Sequence, residues 1–320
     1  PVIWNDTNEF PHNTFWWEGP DGSRIIAHLP STHFGAKIDA DIMLTNWNEY
    51  KQKIACREVI YNYGYADGRG GPNRDDILTG LRYEKTPGMP TAQFTHGEEA
   101  FDRMAAVTEK LPVMKNELYL ETHRGTYTTQ ARLKKNNRRA EILYRNAEAA
   151  SVKAEQFGGE YPHDKLDKGW KLILKNQFHD ILPGSHVTEA YHAAMKDYDE
   201  IFKIGQEVLR SSLIAVAKKI AVAGDEQSFA VFNFQTWERS DLAKIELDRT
   251  DIDFGILENN QPVDMQIVSQ YNSKVQVQFL AQNIPSMGYK VFNVVDKPTS
   301  GQENKVFDSI LENHLFKIVF

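Results

Sequence analysis

Apolar residues recur every three or four positions through the middle of the chain and every second position toward its end. The longest stripe runs through residues 188–221, where Tyr191, Ala194, Tyr198, Ile201, Phe202, Leu209, Leu213, Val216 and Ile220 predict one long amphipathic helix. A second helix is predicted over 128–156, with Leu133, Ala140, Leu143, Tyr144, Ala147 and Ala154 near one face and Gly158-Gly159 as its stop. Shorter helices are predicted over 98–110, ended by Pro112, and over 164–179. Such stripes bury against one another, so residues 96–222 read as a helical bundle without a cofactor box. From Gly224 the period changes to two. Val275, Val277 and Phe279 alternate with Gln276 and Gln278, residues 229–232 and 288–292 add further strands, and turn signals recur about every ten residues. Residues 223–320 therefore read as the start of an antiparallel β-sandwich.

Residues 1–95 mix short apolar runs with glycine and proline. Residues 24–28 look like a strand, and 41–58 carry Leu44, Trp47, Tyr50 and Ile54 at helical spacing. Residues 57–63 then lead, strand-like, into a glycine-rich loop. Alternation of this kind predicts the last units of an α/β domain. The fold class expected is thus multidomain: the end of an α/β, barrel-like catalytic domain, a helical middle domain, and a β-region. Residues 1–4 and 314–320 both read as strands in progress, which leads us to expect a piece of a longer chain.

Composition narrows the function classes. A formal charge of -7 over 320 residues argues against a nucleic-acid surface, which needs clustered Lys and Arg. The one dense basic run, residues 132–139, lies on a predicted helix and reads as a solvated face. The single cysteine, Cys56, forbids an intrachain disulfide and reads as a packed thiol. No run of eighteen apolar residues and no charged-then-apolar leader occurs, so no membrane partner is expected and a cytoplasmic location fits.

Two segments could carry chemistry. Residues 176–185, NQFHDILPGS, set the imidazole of His179 beside the carboxylate of Asp180 at a predicted helix end, just before a Pro-Gly break. A helix-end histidine alone is most often structural, and Asp180 could cap a helix as readily as it could accept hydrogen bonds from sugar hydroxyls. Residues 63–72, YGYADGRGGP, place Asp67 on a loop whose glycines allow tight turns and close ligand approach. An aspartate there can instead satisfy turn amides. Asp75 and Asp76, on what reads as the same loop, are the next carboxyls available. The loop lacks the Gly-Lys-Ser/Thr ending of a phosphate cradle. His123, His163, His186 and His192 show no metal-ligand spacing among themselves.

Together with residues 10–28 (FPHNTFWWEGPDGSRIIAH), 117–130 (ELYLETHRGTYTTQ) and 229–240 (FAVFNFQTWERS), these segments resemble glycoside hydrolase family 38, the retaining zinc-dependent α-mannosidases, in the same order along the chain. The resemblance implies that His179 is a zinc ligand, that Asp180 contacts the sugar, and that Asp67 is the general acid/base. It places His123, Arg124 and Tyr127 at the border of the sugar site and Phe34 where relatives line the pocket. Ala66 and Arg69 replace glycines of the family's loop. His12, Trp16 and Trp17, beside a strand, are expected in the core. The other zinc ligands and the nucleophilic aspartate that the family uses have no counterpart in residues 1–320, so this chain alone is expected to be inactive and to bind zinc weakly. The expected partner is an α-mannoside oligosaccharide or a small mannoside such as mannosylglycerate, with a homo-oligomer possible. A non-catalytic carbohydrate-binding or structural module is the remaining alternative.

Overall fold

Three helices account for most of the buried middle of the chain. In this computed structural model, which describes residues 10–32, 35–65, 70–107, 110–118, 121–221, 227–296, 309–312 and 315–319, the helices are α4 (Ala131–Gln156), α5 (His163–Asn176) and α6 (Thr188–Ala217). The residues that α4 buries include Leu133, Asn137, Ala140, Tyr144, Ala147, Ser151 and Ala154, and those of α6 include Ala194, Tyr198, Ile201, Gly205, Val208 and Ser212. Both rows alternate steps of three and four, the spacing that lets two helices interlock along a continuous seam. Contacts advance together along α4 and α6, from Asn136 against Met195 to Ser151 against Ser212, so the two run parallel. On α5, Lys165 pairs with Glu207 and Lys175 with Asp197, so α5 runs antiparallel to α6.

Tyr144 is the centre of this bundle. Its ring is fully buried, and its hydroxyl donates to the carbonyl of Ile201 at 2.9 Å. It occupies a slot left by two glycines. A Cβ on Gly169 of α5 would lie 1.9 Å from the Tyr144 hydroxyl, and one on Gly205 of α6 would lie 2.7 Å from its ring. No other residue type fits either position without moving the tyrosine.

The β-region builds two antiparallel sheets, ordered β4-β10-β6-β7 and β5-β9-β8. Their strands are β4 (Ser228–Phe232), β5 (Arg239–Leu247), β6 (Gly255–Glu258), β7 (Gln261–Val263), β8 (Met265–Tyr271), β9 (Lys274–Ile284) and β10 (Tyr289–Val295). Leu247, Val275, Val277 and Phe279 of one sheet share a core with Phe254, Ile256, Phe292 and Val294, and the rings of Phe279 and Phe292 meet at 5.0 Å. Asn259-Asn260 and Asn272-Ser273 take positive φ at both positions, as two-residue hairpin turns of the primed type require. A short pair, β11 (Ile310–Glu312) and β12 (Lys317–Val319), follows.

The chain divides into two compact units, Pro1–Tyr127 and Thr128–Phe320. In the first, β1 (Thr14–Glu18) pairs antiparallel with β2 (Arg24–His28) and parallel with β3 (Val113–Met114). Helices α1 (Ala40–Glu49), α2 (Arg74–Tyr83) and α3 (Gly97–Ala105) accompany them. Phe101 and Met104 of α3 pack with Cys56, Leu111 and Trp16, so this helix, which the pattern groups with the helical segment, belongs to the first unit. The helix expected over 41–58 stops at Glu49, because Tyr50 turns to extended backbone. Residues 57–63, expected as a strand, join no ladder among the described residues. Side chains satisfy the backbone there instead: the Ile60 N–H donates to His28 Nε2 at 3.2 Å, and its carbonyl accepts from Asn46 Nδ2 at 3.3 Å. No helix among the described residues is long and apolar enough to cross a membrane.

Candidate functional site

The segment that carries His179 begins where α5 runs out. Gln177 caps the helix, its N–H still bonded to the carbonyls of Ile173 and Leu174, and the chain then makes tight turns in which Phe178 O accepts from the N–H groups of Ile181 and Leu182. Gly184 closes the segment at φ +85°. His179 and Asp180 stand at its apex with side chains 79% and 60% exposed. His179 Nε2 lies 3.7 Å from Asp180 Oδ2, too long for a hydrogen bond, and its ring centroid is 4.2 Å from that of Phe178. Neither side chain is spent on capping the helix, so both are available to a ligand.

Their backbone is held far more firmly than their side chains. At the near end, Gln177 Nε2 donates to Asn137 Oδ1 (3.1 Å) and Glu141 Oε1 (2.9 Å), both on α4. The neighbouring Asn176 donates to Asp197 Oδ2 of α6 at 3.0 Å. At the far end, Lys134 Nζ donates to the carbonyls of Leu182 (2.9 Å) and Pro183 (3.2 Å), and also to that of Thr129 (2.6 Å). Partial burial lowers the pKa of this ammonium below the ordinary lysine value. Lys134 is therefore a correction to the solvated-face reading of residues 132–139. Sequence reasoning missed it because nothing in a basic run says which ammonium faces carbonyls.

Zinc takes at least three protein ligands. His179 and Asp180 offer one imidazole and one carboxylate, and no group of three metal-binding side chains occurs among the described residues. The pair fits as part of a donor set and does not suffice alone.

The first unit holds the other candidates. His123, Arg124 and Tyr127 share a 3₁₀ segment, Glu121–Tyr127, kinked at His123. Thr122 Oγ1 lies 3.0 Å from His123 Nδ1, and Thr126 Oγ1 donates to the His123 carbonyl at 2.6 Å. Tyr127 is 60% exposed. Asp67 and Phe34 lie outside the described residues. The flanks of the Asp67 loop are defined: Gly64, at φ +113°, donates to the Ala36 carbonyl and sits against Pro72.

Asp75 and Asp76 are not loop residues. Both lie in the first turn of α2, where Asn73 Oδ1 accepts from the Asp76 N–H at 2.8 Å and Asp76 Oδ2 accepts from the Asn73 N–H at 3.1 Å. Asp76 Oδ1 also accepts from the Ile38 N–H at 3.1 Å. This capping box consumes Asp76, which is withdrawn as a second acid. The spacing Asn73-x-x-Asp76 was the signal for the helix. Trp16 joins the Cys56 core as expected, while Trp17 Nε1 donates to the Asn116 carbonyl. His12 lies against Phe10 and Phe15, and burial lowers its pKa.

Comparison with known proteins bears on both units. Residues 2–117 match the model of the glycosyl hydrolases family 38 N-terminal domain, and residues 121–216 match that of the alpha mannosidase middle domain. The chain belongs to glycosyl hydrolase family 38. Relatives include human alpha-mannosidase 2C1, 32% identical over 246 residues (75% of this chain, 23% of that protein). Alpha-mannosidase G of Dictyostelium discoideum is 36% identical over 209 residues (65% of this chain, 19% of that protein). A crystal structure of an alpha-mannosidase from Enterococcus faecalis V583 superposes with a TM-score of 0.61 at 16% identity, over 96% of this chain and 41% of that one, which is a likeness of fold. The chain thus spans about a fifth of the length of the curated relatives it matches.

Proposed function

We propose that the whole protein to which these residues belong is a retaining glycosidase that removes terminal α-mannosyl residues, and that it works in the cytoplasm. The observation that carries this reading is the His179–Asp180 pair, exposed on a segment anchored at both ends, in a family 38 chain. In this reading Asp180 binds sugar hydroxyls, which are strong donors to a charged acceptor. His123, Arg124 and Tyr127 border the sugar, as does Phe34. Asp67 protonates the leaving oxygen and afterwards removes a proton from the incoming water, while a second carboxylate outside this chain is the nucleophile. His179 is one nitrogen donor to a zinc ion whose other ligands lie outside residues 1–320. Such an ion, when bound, supplies a positive charge that orients vicinal hydroxyls.

Leaving groups test the role of Asp67. An alkoxide needs a proton from the acid, whereas a dinitrophenolate scarcely does. Asp67→Asn in the whole protein should lower turnover of alkyl α-mannosides by about 10²–10⁴. Formation of the glycosyl-enzyme from a dinitrophenyl mannoside should be largely spared, and azide should restore its turnover. Equal loss on both substrates without azide rescue would remove Asp67 from the mechanism. Zinc per molecule should drop in His179→Ala, and unchanged zinc would remove His179 as a ligand.

A further inference from the structure

The side chains of His179 and Asp180 are too exposed for packing to hold them. Their placement depends on the backbone between Gln177 and Gly184. Both ends of that backbone are tied to the same helix. Lys134, Asn137 and Glu141 stand three and four residues apart on α4, so they line one face of it. Lys134 takes the far end, through the carbonyls of Leu182 and Pro183. Asn137 and Glu141 take the near end, through the amide of Gln177. The three polar groups are themselves fixed. Asn137 is buried and donates to Glu141 Oε1 at 3.0 Å, and Arg138 holds the other oxygen of Glu141 at 3.2 Å. All three N–H groups of the Lys134 ammonium have a carbonyl partner within 3.2 Å.

The far end is also fitted sterically. A Cβ on Gly184 would lie 2.8 Å from the Thr129 carbonyl and 2.9 Å from the side chain of Gln130. Gln130 itself takes φ 52° at the entry to α4. Two left-handed positions therefore meet where the His179 segment touches the helix, and Lys134 bridges the carbonyls on both sides of the contact. A solvated lysine would do none of this.

We propose that Lys134, Asn137 and Glu141 are positioning residues for His179 and Asp180: one face of α4 acts as a jig that sets where the two functional side chains stand. The proposal rests on the reading of that pair as part of the glycosidase site. It adds that the accuracy of the site is supplied by side chains that touch neither sugar nor metal. Groups that orient metal ligands from behind typically change affinity or activity ten- to hundred-fold when lost.

The test uses the whole protein and Lys134→Met, which keeps the apolar stem and removes the three donors. Amide exchange across 177–186 should quicken at least about tenfold, with the rest of α5 and α6 unchanged. Measured per folded molecule, well below the unfolding temperature, kcat on an aryl α-mannoside should fall about ten- to hundred-fold, and zinc should bind more weakly by a similar factor. Unchanged exchange in 177–186 overturns the proposal. So does quickened exchange with kcat and zinc affinity untouched, since Lys134 would then be a strut only. Should Lys134→Met fail to fold, Gln177→Met cuts the other anchor and is read in the same way. His179→Ala is measured in parallel. If it keeps zinc and activity, the reading of the pair is wrong, and the exchange result alone decides whether Lys134 holds the segment.

Discussion

Residues 57–63 of the first unit and residues 177–184 of the second are both held by side chains that reach across from a neighbouring element, and the two use different chemistry. The first relies on neutral groups. His28 accepts from Ile60, Asn46 donates to it, and the Tyr61 hydroxyl donates to the Lys37 carbonyl. The second relies on a charge, the Lys134 ammonium, and on an amide held by an asparagine and a glutamate. Behind it stands a bundle whose core cluster has ten buried members, whereas the cluster around Cys56 in the first unit has three among the described residues. Where packing is deep, polar contacts are free to refine position. Where a segment has no ladder, they have to hold its backbone.

The sharpest way to break this contrast is to hollow the bundle. Tyr144→Ala leaves a void between Gly169 and Gly205 and should destabilise the second unit by about 4 kcal/mol. Urea unfolding followed by Trp170 fluorescence reads it. A loss below about 1 kcal/mol would mean that the bundle does not depend on its central ring.

Acid attacks the other side of the comparison. Burial, the largest influence on His28, lowers its pKa from 6.5 to about 4 in the folded protein. Above pH 6.5 the ring is neutral whether folded or unfolded, and the shift has no effect on stability. As pH falls from 6.5 toward 4, the unfolded chain takes up a proton that the folded chain refuses. The penalty grows to about 3 kcal/mol at the lower limit. Protection of the amides in 57–63, with exchange corrected for its intrinsic slowing in acid, should therefore fall over that window before protection in 177–184 does. His28→Gln, which keeps an acceptor without a titrating ring, should flatten the dependence. If His28→Gln leaves the slope intact, another group carries it.

The smallest expected effect is a control on surface charge. Lys165 and Glu207 pair across α5 and α6 at 2.6 Å, both more than half exposed. Lys165→Ala should change stability by no more than about 0.5 kcal/mol. A larger loss would show that charge pairs between the helices matter as much as the seam.

The seam itself was legible in the sequence, because Leu133, Ala140, Tyr144 and Ala147 repeat at a spacing that only a helix brings to one side. The strand at 275–279 was legible for the same reason at period two, and that at 229–232 as a short apolar run between turn signals. Residues 57–63 were not. Their composition is strand-like, but a strand is made by its partners, and here His28 and Asn46 take the places a ladder would fill. Helix α2 was missed because the residues it buries, Asp76 and Gly80, form no apolar stripe, although its capping pair was present in Asn73 and Asp76. Of the candidate site, His179 and Asp180 were found through the string that contains them. Lys134 and Gln177 were not found, because their role depends on which backbone carbonyls and side chains come within reach after folding.

The slot that holds Tyr144 has a consequence for distance along the helix axes. A ring wedged between Gly169 and Gly205 acts as a dowel: α5 cannot slide against α4 or α6 without driving a side chain into it. A slip of one residue would translate α5 by about 1.5 Å and turn it by about 100°. His179 lies ten residues beyond Gly169 on the same run of chain, so its height is measured from that dowel. Two missing side chains thus fix, from deep inside the bundle, the level at which an exposed imidazole meets solvent.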